Sequence, residues 1–291
     1  MRAIEETITA DDGAAIRAMR WEPSDGTPPR AVIQFVHGFG EHIAMYEPLA
    51  QVLTGHGYAF VIHDQRGHGE MPERTPAARA KALGVIDSYA WFLKDITTVR
   101  DRIDDWYPGL PVVLWGLSMG GGIAAIYAER IRPLRFATVV LESPWLRLAK
   151  PMPGAVTALA RVVGRLAPSL AINAGLDLDA VSRDPEQTAI LKADPFYHGR
   201  ISFRLYTQVL DEGEYAIAHA ADLVAPTLLL TGTGDRIVSV AAIRELAANA
   251  GPTLILREFD GAFHCLHYDA NRNEVLGVVL AFLGRPTVPD A

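Results

Sequence analysis

The chain has 291 residues, 49% hydrophobic and 21% charged, enough apolar material for one large domain with an insertion or for two domains. Its net charge of −7, with no basic tract to neutralise phosphates, excludes a nucleic-acid partner. Its one cysteine, Cys265, excludes a disulfide framework and a cysteine-based zinc site.

The N-terminus, Met1-Arg2-Ala3-Ile4-Glu5-Glu6, lacks the apolar core of a signal peptide, and no uncharged apolar run is long enough to span a bilayer. The expectation is a soluble, cytoplasmic protein. Residues 3–9 and 14–21 alternate as a β-hairpin would, with Asp11-Asp12-Gly13 as its turn, and residues 23–29 read as a loop.

Then come short apolar runs, each ending in a glycine-rich or polar turn. Ala31–Val36 leads to His37-Gly38-Phe39-Gly40-Glu41-His42, and Tyr58–His63 to Asp64-Gln65-Arg66-Gly67-His68-Gly69. Val112–Trp115 leads to Gly116-Leu117-Ser118-Met119-Gly120, and Phe136–Leu141 to Glu142-Ser143-Pro144. Pro226–Leu230 leads to Thr231-Gly232-Thr233-Gly234-Asp235, and Thr253–Phe259 to Asp260-Gly261-Ala262-Phe263-His264. Helical patterns fall between most of them, over about 45–56, 88–106, 119–131, 240–250 and 271–284. Apolar strands alternating with helices predict an α/β fold, a mostly parallel sheet covered on both faces, with function at the carboxyl ends of its strands.

Residues 144–220 break the alternation. They show no convincing strand and read as a helical cap, splitting the core into 1–143 and 221–291. From Ser143 to Leu176 there is no acidic residue, while Arg147, Lys150, Arg161 and Arg165 lie among Ala, Leu, Val and Met. That composition fits an ordinary helical layer packed on the core, or an amphipathic lid that lines an acyl pocket and touches membrane or micelle surfaces.

The serine turn carries the chemistry. Gly-x-Ser-x-Gly between a strand and a helix strains the central residue and lifts its hydroxyl above the sheet, at a helix N-terminus that favours negative charge. A serine hydroxyl needs a base, and the base an anion that fixes its tautomer. Asp235 and His264 follow Ser118 in the order Ser, acid, His, both in loops after strands. Glu142 competes for the acid and His267 for the base; Asp235 is preferred for its later strand, His264 because it leaves its strand directly. The turn after Ala31–Val36 reads as an oxyanion loop, so the backbone amides of Phe39 and Met119 are expected to hold a tetrahedral oxyanion. Asp64, Arg66 and His68, with His37, His42 and His63, read as ion pairs and turn formers rather than metal ligands. Neither a metal nor another cofactor is called for.

The motifs His37-Gly-Phe-Gly-Glu-His42, Asp64-Gln-Arg-Gly-His-Gly69, Gly116-Leu-Ser-Met-Gly120, Ser182-Arg-Asp-Pro185 and Gly261-Ala-Phe-His264-Cys-Leu-His267 resemble those of the monoacylglycerol lipase and lysophospholipase group of α/β-hydrolases. The resemblance implies an α/β-hydrolase core of about eight strands with a helical lid, the triad Ser118, Asp235 and His264, and oxyanion amides at Phe39 and Met119. It implies cleavage of acyl esters of small alcohols, monoacylglycerols foremost, with Glu41 and His267 near the alcohol. Met45 stands where monoglyceride-specific members carry arginine, which keeps a broad carboxylesterase, lysophospholipase or thioesterase as the alternative. Glu41 also has a plain reading, pairing with Arg66 or capping a helix.

Overall fold

The computed structural model describes residues 1–24, 26–71 and 74–284, so Asp25 of the expected loop and residues 285–291 of the second core part lie outside the described residues. Strands β1 (Arg2–Thr9) and β2 (Ala15–Glu22) pair antiparallel across a turn in which Gly13 takes φ 82°. β3 (Ala31–Val36), β4 (Tyr58–His63), β5 (Val112–Leu117) and β6 (Thr138–Glu142) follow. After a segment holding the short β7 (Ala171–Asn173) and β8 (Arg200–Ser202), β9 (Thr227–Gly232) and β10 (Leu254–Phe259) complete an eight-stranded sheet. Its order is β1-β2-β4-β3-β5-β6-β9-β10, parallel from β4 onward.

Every residue of β3, β4, β5, β6 and β9 is buried, as expected of strands covered on both faces. The two-residue period divides them between two cores. Val112 and Leu114 join one, against α3 (Ala90–Trp106), α4 (Met119–Arg130), α7 (Phe203–Ala218) and α8 (Val240–Asn249). Val113, Trp115 and Leu117 join the other, against α1 (Glu47–Gly55) and α9 (Arg272–Leu283). Trp115 and Phe35 meet there at 5.5 Å, and removing either ring would cost roughly 3–5 kcal/mol.

Three elements depart from expectation. β6 runs to Glu142, which pairs in register with Leu117 and Leu230, so Glu142 ends the strand instead of opening the turn. α2 (Pro76–Ala82) was not foreseen; it buries no residue and so leaves no apolar periodicity, although Thr75 caps it and Pro76 starts it. The third is in the segment 144–220, where β7 and β8 form an antiparallel pair, each strand three residues long and too short to show a period.

The rest of that segment is helical: α5 (Gly154–Leu166), α6 (Pro185–Ala193) and α7. The acids missing between Ser143 and Leu176 come from outside that stretch. Arg147 pairs with Glu214 and Glu245, and Arg161 with Asp211, so α7 and α8 answer two of the cations read from the sequence. The outward surface of α5 is apolar instead, with Leu159, Val162 and Leu166 exposed.

Candidate active site

Ser118 joins β5 to α4 at φ 55° and ψ −119°, a strained conformation for a residue with a side chain. The turn can be this tight because of its glycines. A Cβ at Gly116 would sit 2.2 Å from the Gly120 carbonyl oxygen, and one at Gly120 would sit 2.0 Å from that of Val36. The strained turn is held by three backbone bonds: Ser118 N–H donates to Glu142 O (2.9 Å), and Ser118 O accepts from Gly122 (3.0 Å) and Trp145 (2.8 Å).

Asp235 follows β9, and its loop lies against the loop after β10 through Gly234 N–H to Ala262 O at 2.9 Å. A Cβ at Gly232 would lie 2.2 Å from the same oxygen, so glycine is what lets the two loops meet. One carboxylate oxygen of Asp235 accepts from the amides of Ile237 (2.7 Å) and Val238 (3.0 Å), which aims the other at His264 Nδ1, 2.7 Å away. That contact holds the proton on Nδ1 and leaves Nε2 as the basic nitrogen. Burial pushes the His264 imidazole's pKa down, but Asp235, and then Glu41 and Glu142, outweigh it and bring the net value above the ordinary histidine range.

Ser118 and His264 line one cavity of ≈ 330 Å³, with Phe39 and Glu41 on its wall. The remaining wall is largely apolar, with Leu148, Met152, Val156, Leu176 and Leu191 drawn from the segment between β6 and β9. The volume suits a small organic ligand. Met119 is the first residue of α4, so its N–H has no partner within the helix. Phe39, outside any element, donates no backbone hydrogen bond among the described residues. Gly40 (φ 80°) brings this loop against the segment after α6: His198 N–H donates to Gly40 O at 3.0 Å.

Glu41 does not pair with Arg66, which binds Asp95 and Asp12 instead. Its carboxylate accepts from Gly38 N–H (2.6 Å) and from the Tyr46 hydroxyl, and burial raises its pKa against both. It also borders a second cavity of ≈ 230 Å³, which shares Val181 and Leu191 with the first and adds Met45, Gln187, Thr188, Asp194 and Tyr268. His267, which the resemblance implied near the alcohol, lies in the short helical turn after Cys265. Its ring is buried beside Glu142 and lines neither cavity, because the turn after Cys265 directs it into the core. Glu142, the rival acid, thus serves the rival base.

His37, His63 and His68 are fully buried, and burial pushes their pKa values down to about 3, 4 and 3, so they stay neutral. His37 Nε2 accepts from Gln65 N–H at 3.0 Å, tying the loop after β3 to the loop after β4. By geometry a metal ion could be held by one trio among the described residues, Glu142, Cys265 and His267, whose donor atoms lie within 4.8 Å of one another. There His267 Nδ1 is already engaged by Glu142.

Over residues 27–271 the sequence matches the family described as serine aminopeptidase, S33. The monoacylglycerol lipase of Mycolicibacterium smegmatis is 32% identical over 281 residues, 96% of each chain. The monoglyceride lipase of Homo sapiens is 34% identical over 263 residues, 88% of this chain and 82% of that one. Among solved structures, the monoacylglycerol lipase of Paleococcus ferrophilus matches with a TM-score of 0.81 at 31% identity, over 92% of this chain and 98% of that one. With its eight-stranded sheet and its serine turn, the chain belongs to the serine aminopeptidase S33 family, as a monoglyceride lipase-like serine hydrolase of the α/β-hydrolase fold.

Proposed function

We propose that the protein cleaves monoacylglycerols to a fatty acid and glycerol through an acyl-enzyme on Ser118. The observation that carries this reading is the apolar cavity that Ser118 shares with His264, itself bonded to Asp235 at 2.7 Å. His264 Nε2 takes the Ser118 proton as Oγ bonds to the ester carbonyl carbon, and the carbonyl oxygen becomes an anion held by the Phe39 and Met119 amides. Collapse of this adduct breaks the bond to the alkoxide, which leaves as glycerol with the proton from His264. Water then repeats the sequence, losing its proton to His264, and the carboxylic acid leaves as the proton returns to Ser118 Oγ.

The segment 144–220 acts as the lid over this cavity. Its inner side, through Met152, Val156 and Leu176, receives the acyl chain. Its outer side, the exposed face of α5, meets the lipid surface from which the substrate is drawn. The neighbouring cavity is the more polar one, with Gln187, Thr188 and Asp194 beside Glu41, and it suits the alcohol. In that cavity Met45 supplies no charge, so the head group is selected by size and hydroxyl contacts. Among the described residues no helix is long and apolar enough to cross a membrane, so contact with lipid is peripheral in this reading.

The test is initial rates on monoacylglycerols of graded chain length beside matched lysophospholipids and methyl esters, for wild type and Ser118→Ala. Monoacylglycerols are expected to turn over fastest, and the variant to lose roughly four to six orders of magnitude in kcat. Methyl esters cleaved equally fast would make the protein a broad carboxylesterase. Turnover surviving in Ser118→Ala would overturn the nucleophile.

A further inference from the structure

Behind the candidate triad lies a second imidazole–carboxylate pair. His267 and Glu142 both have side chains 0% exposed, and His267 Nδ1 lies 2.8 and 2.9 Å from the two carboxylate oxygens. Glu142 also accepts from the His267 amide (3.1 Å) and from Trp115 Nε1 (3.2 Å). Phe35, Tyr46 and Trp115 surround the imidazole with ring centroids 5.7–6.3 Å away. Such a buried pair is not explained by stability, since apolar groups of the same shape in place of both partners are often neutral or stabilising. Its position offers another reason.

The backbone of Glu142 is committed to the nucleophile turn, its carbonyl accepting from Ser118 N–H at 2.9 Å. Ser143, the next residue, is held at φ 42° and bonds through its amide to Leu230 O at 2.8 Å. Two strained non-glycine residues thus interlock, Ser118 and Ser143, with Glu142 between them. The His264 loop is tied to Asp235's loop through Ala262, but among the described residues its tie to the serine turn runs through His267 and Glu142. One residue grips the nucleophile with its carbonyl and the base-bearing loop with its carboxylate.

We propose that Glu142 is a positioning residue for ester hydrolysis, acting through His267 to hold Ser118 and His264 in register. The proposal rests on the assignment of Ser118 and His264 given above. The same carboxylate adds negative charge behind the imidazole that must take a proton. The anions whose charge favours protonated His264 are Asp235 from the loop after β9, Glu41 from the loop after β3 and Glu142 from β6. Tyr46 and Tyr197 stand near Glu41 and are kept neutral by burial, which pushes their pKa values up.

Glu142→Gln keeps the shape and removes the charge, and it is measured on a water-soluble ester with Ser118→Ala as the blank. The expected result is a kcat lower by about 10- to 100-fold with KM within about twofold. The acidic limb of kcat/KM should move to lower pH by about 0.5 unit, because His264 loses an anion that favours its protonated form. Glu142→Asp restores the charge and should leave that limb in place with part of kcat recovered. Glu142→Gln/His267→Gln should lose no more kcat than the worse single variant, as residues acting as a unit do. Wild-type kcat and acidic limb in Glu142→Gln, with only a lower Tm, would reduce the pair to a packing element and overturn the proposal. If Glu142→Gln does not fold, His267→Gln decides, and wild-type kcat there overturns the proposal. Turnover in Ser118→Ala would instead overturn the hydrolase assignment, a separate outcome.

Discussion

Helices α4 and α5 are nearly the same length and equally free of acids in their first turns, yet the fold uses them in opposite ways. Every residue of α4 but Arg130 is buried, because β5, β6 and α7 press on it, and Gly120 and Gly121 let the ends of β3, β5 and β6 come close. On α5 only Ala160 and Gly164 are buried, while Leu159 is 62% and Leu166 82% exposed. α4 spends its apolar character on fixing the serine turn. α5 leaves its own facing out, where a fold gains nothing from it. Substitutions on α4 should therefore disturb stability and chemistry together, and those on the outer face of α5 neither.

Gly120→Ala is the severest test on the α4 side. Its Cβ would lie 2.0 Å from Val36 O and 2.5 Å from His37 O, both backbone atoms where β3 enters the loop that carries Phe39. Strand and helix must part to admit it, at a cost of about 3 kcal/mol or more, and the serine turn moves away from Phe39. Denaturant melts and kcat should both fall. Normal values in either would mean that the close approach does not set the site.

Glu129, near the other end of α4, has both carboxylate oxygens buried without a hydrogen-bond partner among the described residues, and burial raises its pKa to about 9. The unfolded chain titrates near the ordinary glutamate value, so from about pH 4.5 to 9 it binds fewer protons than the folded chain. Stability falls as pH rises through that window and is flat on either side. Glu129→Gln should remove the slope, a gain of about 2 kcal/mol at pH 9 and none at pH 4. This is less than the full shift implies, because a helix end can open locally. Tm measured against pH decides it: parallel curves for variant and wild type would assign the slope to other groups.

The same contrast explains what could be read from the sequence. The serine turn is local, a strand, five residues and a helix, and the order of Ser118, Asp235 and His264 marked three loops that the parallel sheet gathers at one end. Glu129 beside Arg130 carries no local sign of burial. The tie of Glu142 to His267 spans 125 residues, and nothing near either one announces it. α2 and the β7–β8 pair were missed for the opposite reason, being too exposed or too short to leave a pattern. Local chemistry is legible before folding. Long-range burial is not.

The smallest expected effect on stability falls on α5 and is the most specific to function. In Leu159→Gln/Leu166→Gln the stability change should stay within about 0.5 kcal/mol, since neither side chain is buried. Neither residue lines the cavity, so rates on a water-soluble ester should match wild type. On monoacylglycerol dispersed in vesicles the rate should fall about tenfold, because two apolar side chains that would enter the lipid boundary are lost. Vesicle sedimentation separates the readings. Weaker binding together with the lower rate supports docking through α5. A lower rate with unchanged binding would place the residues in lid movement instead. Unchanged vesicle rates would leave the outward apolar face of α5 with no part in lipid contact, and the contrast with α4 would then be one of packing alone.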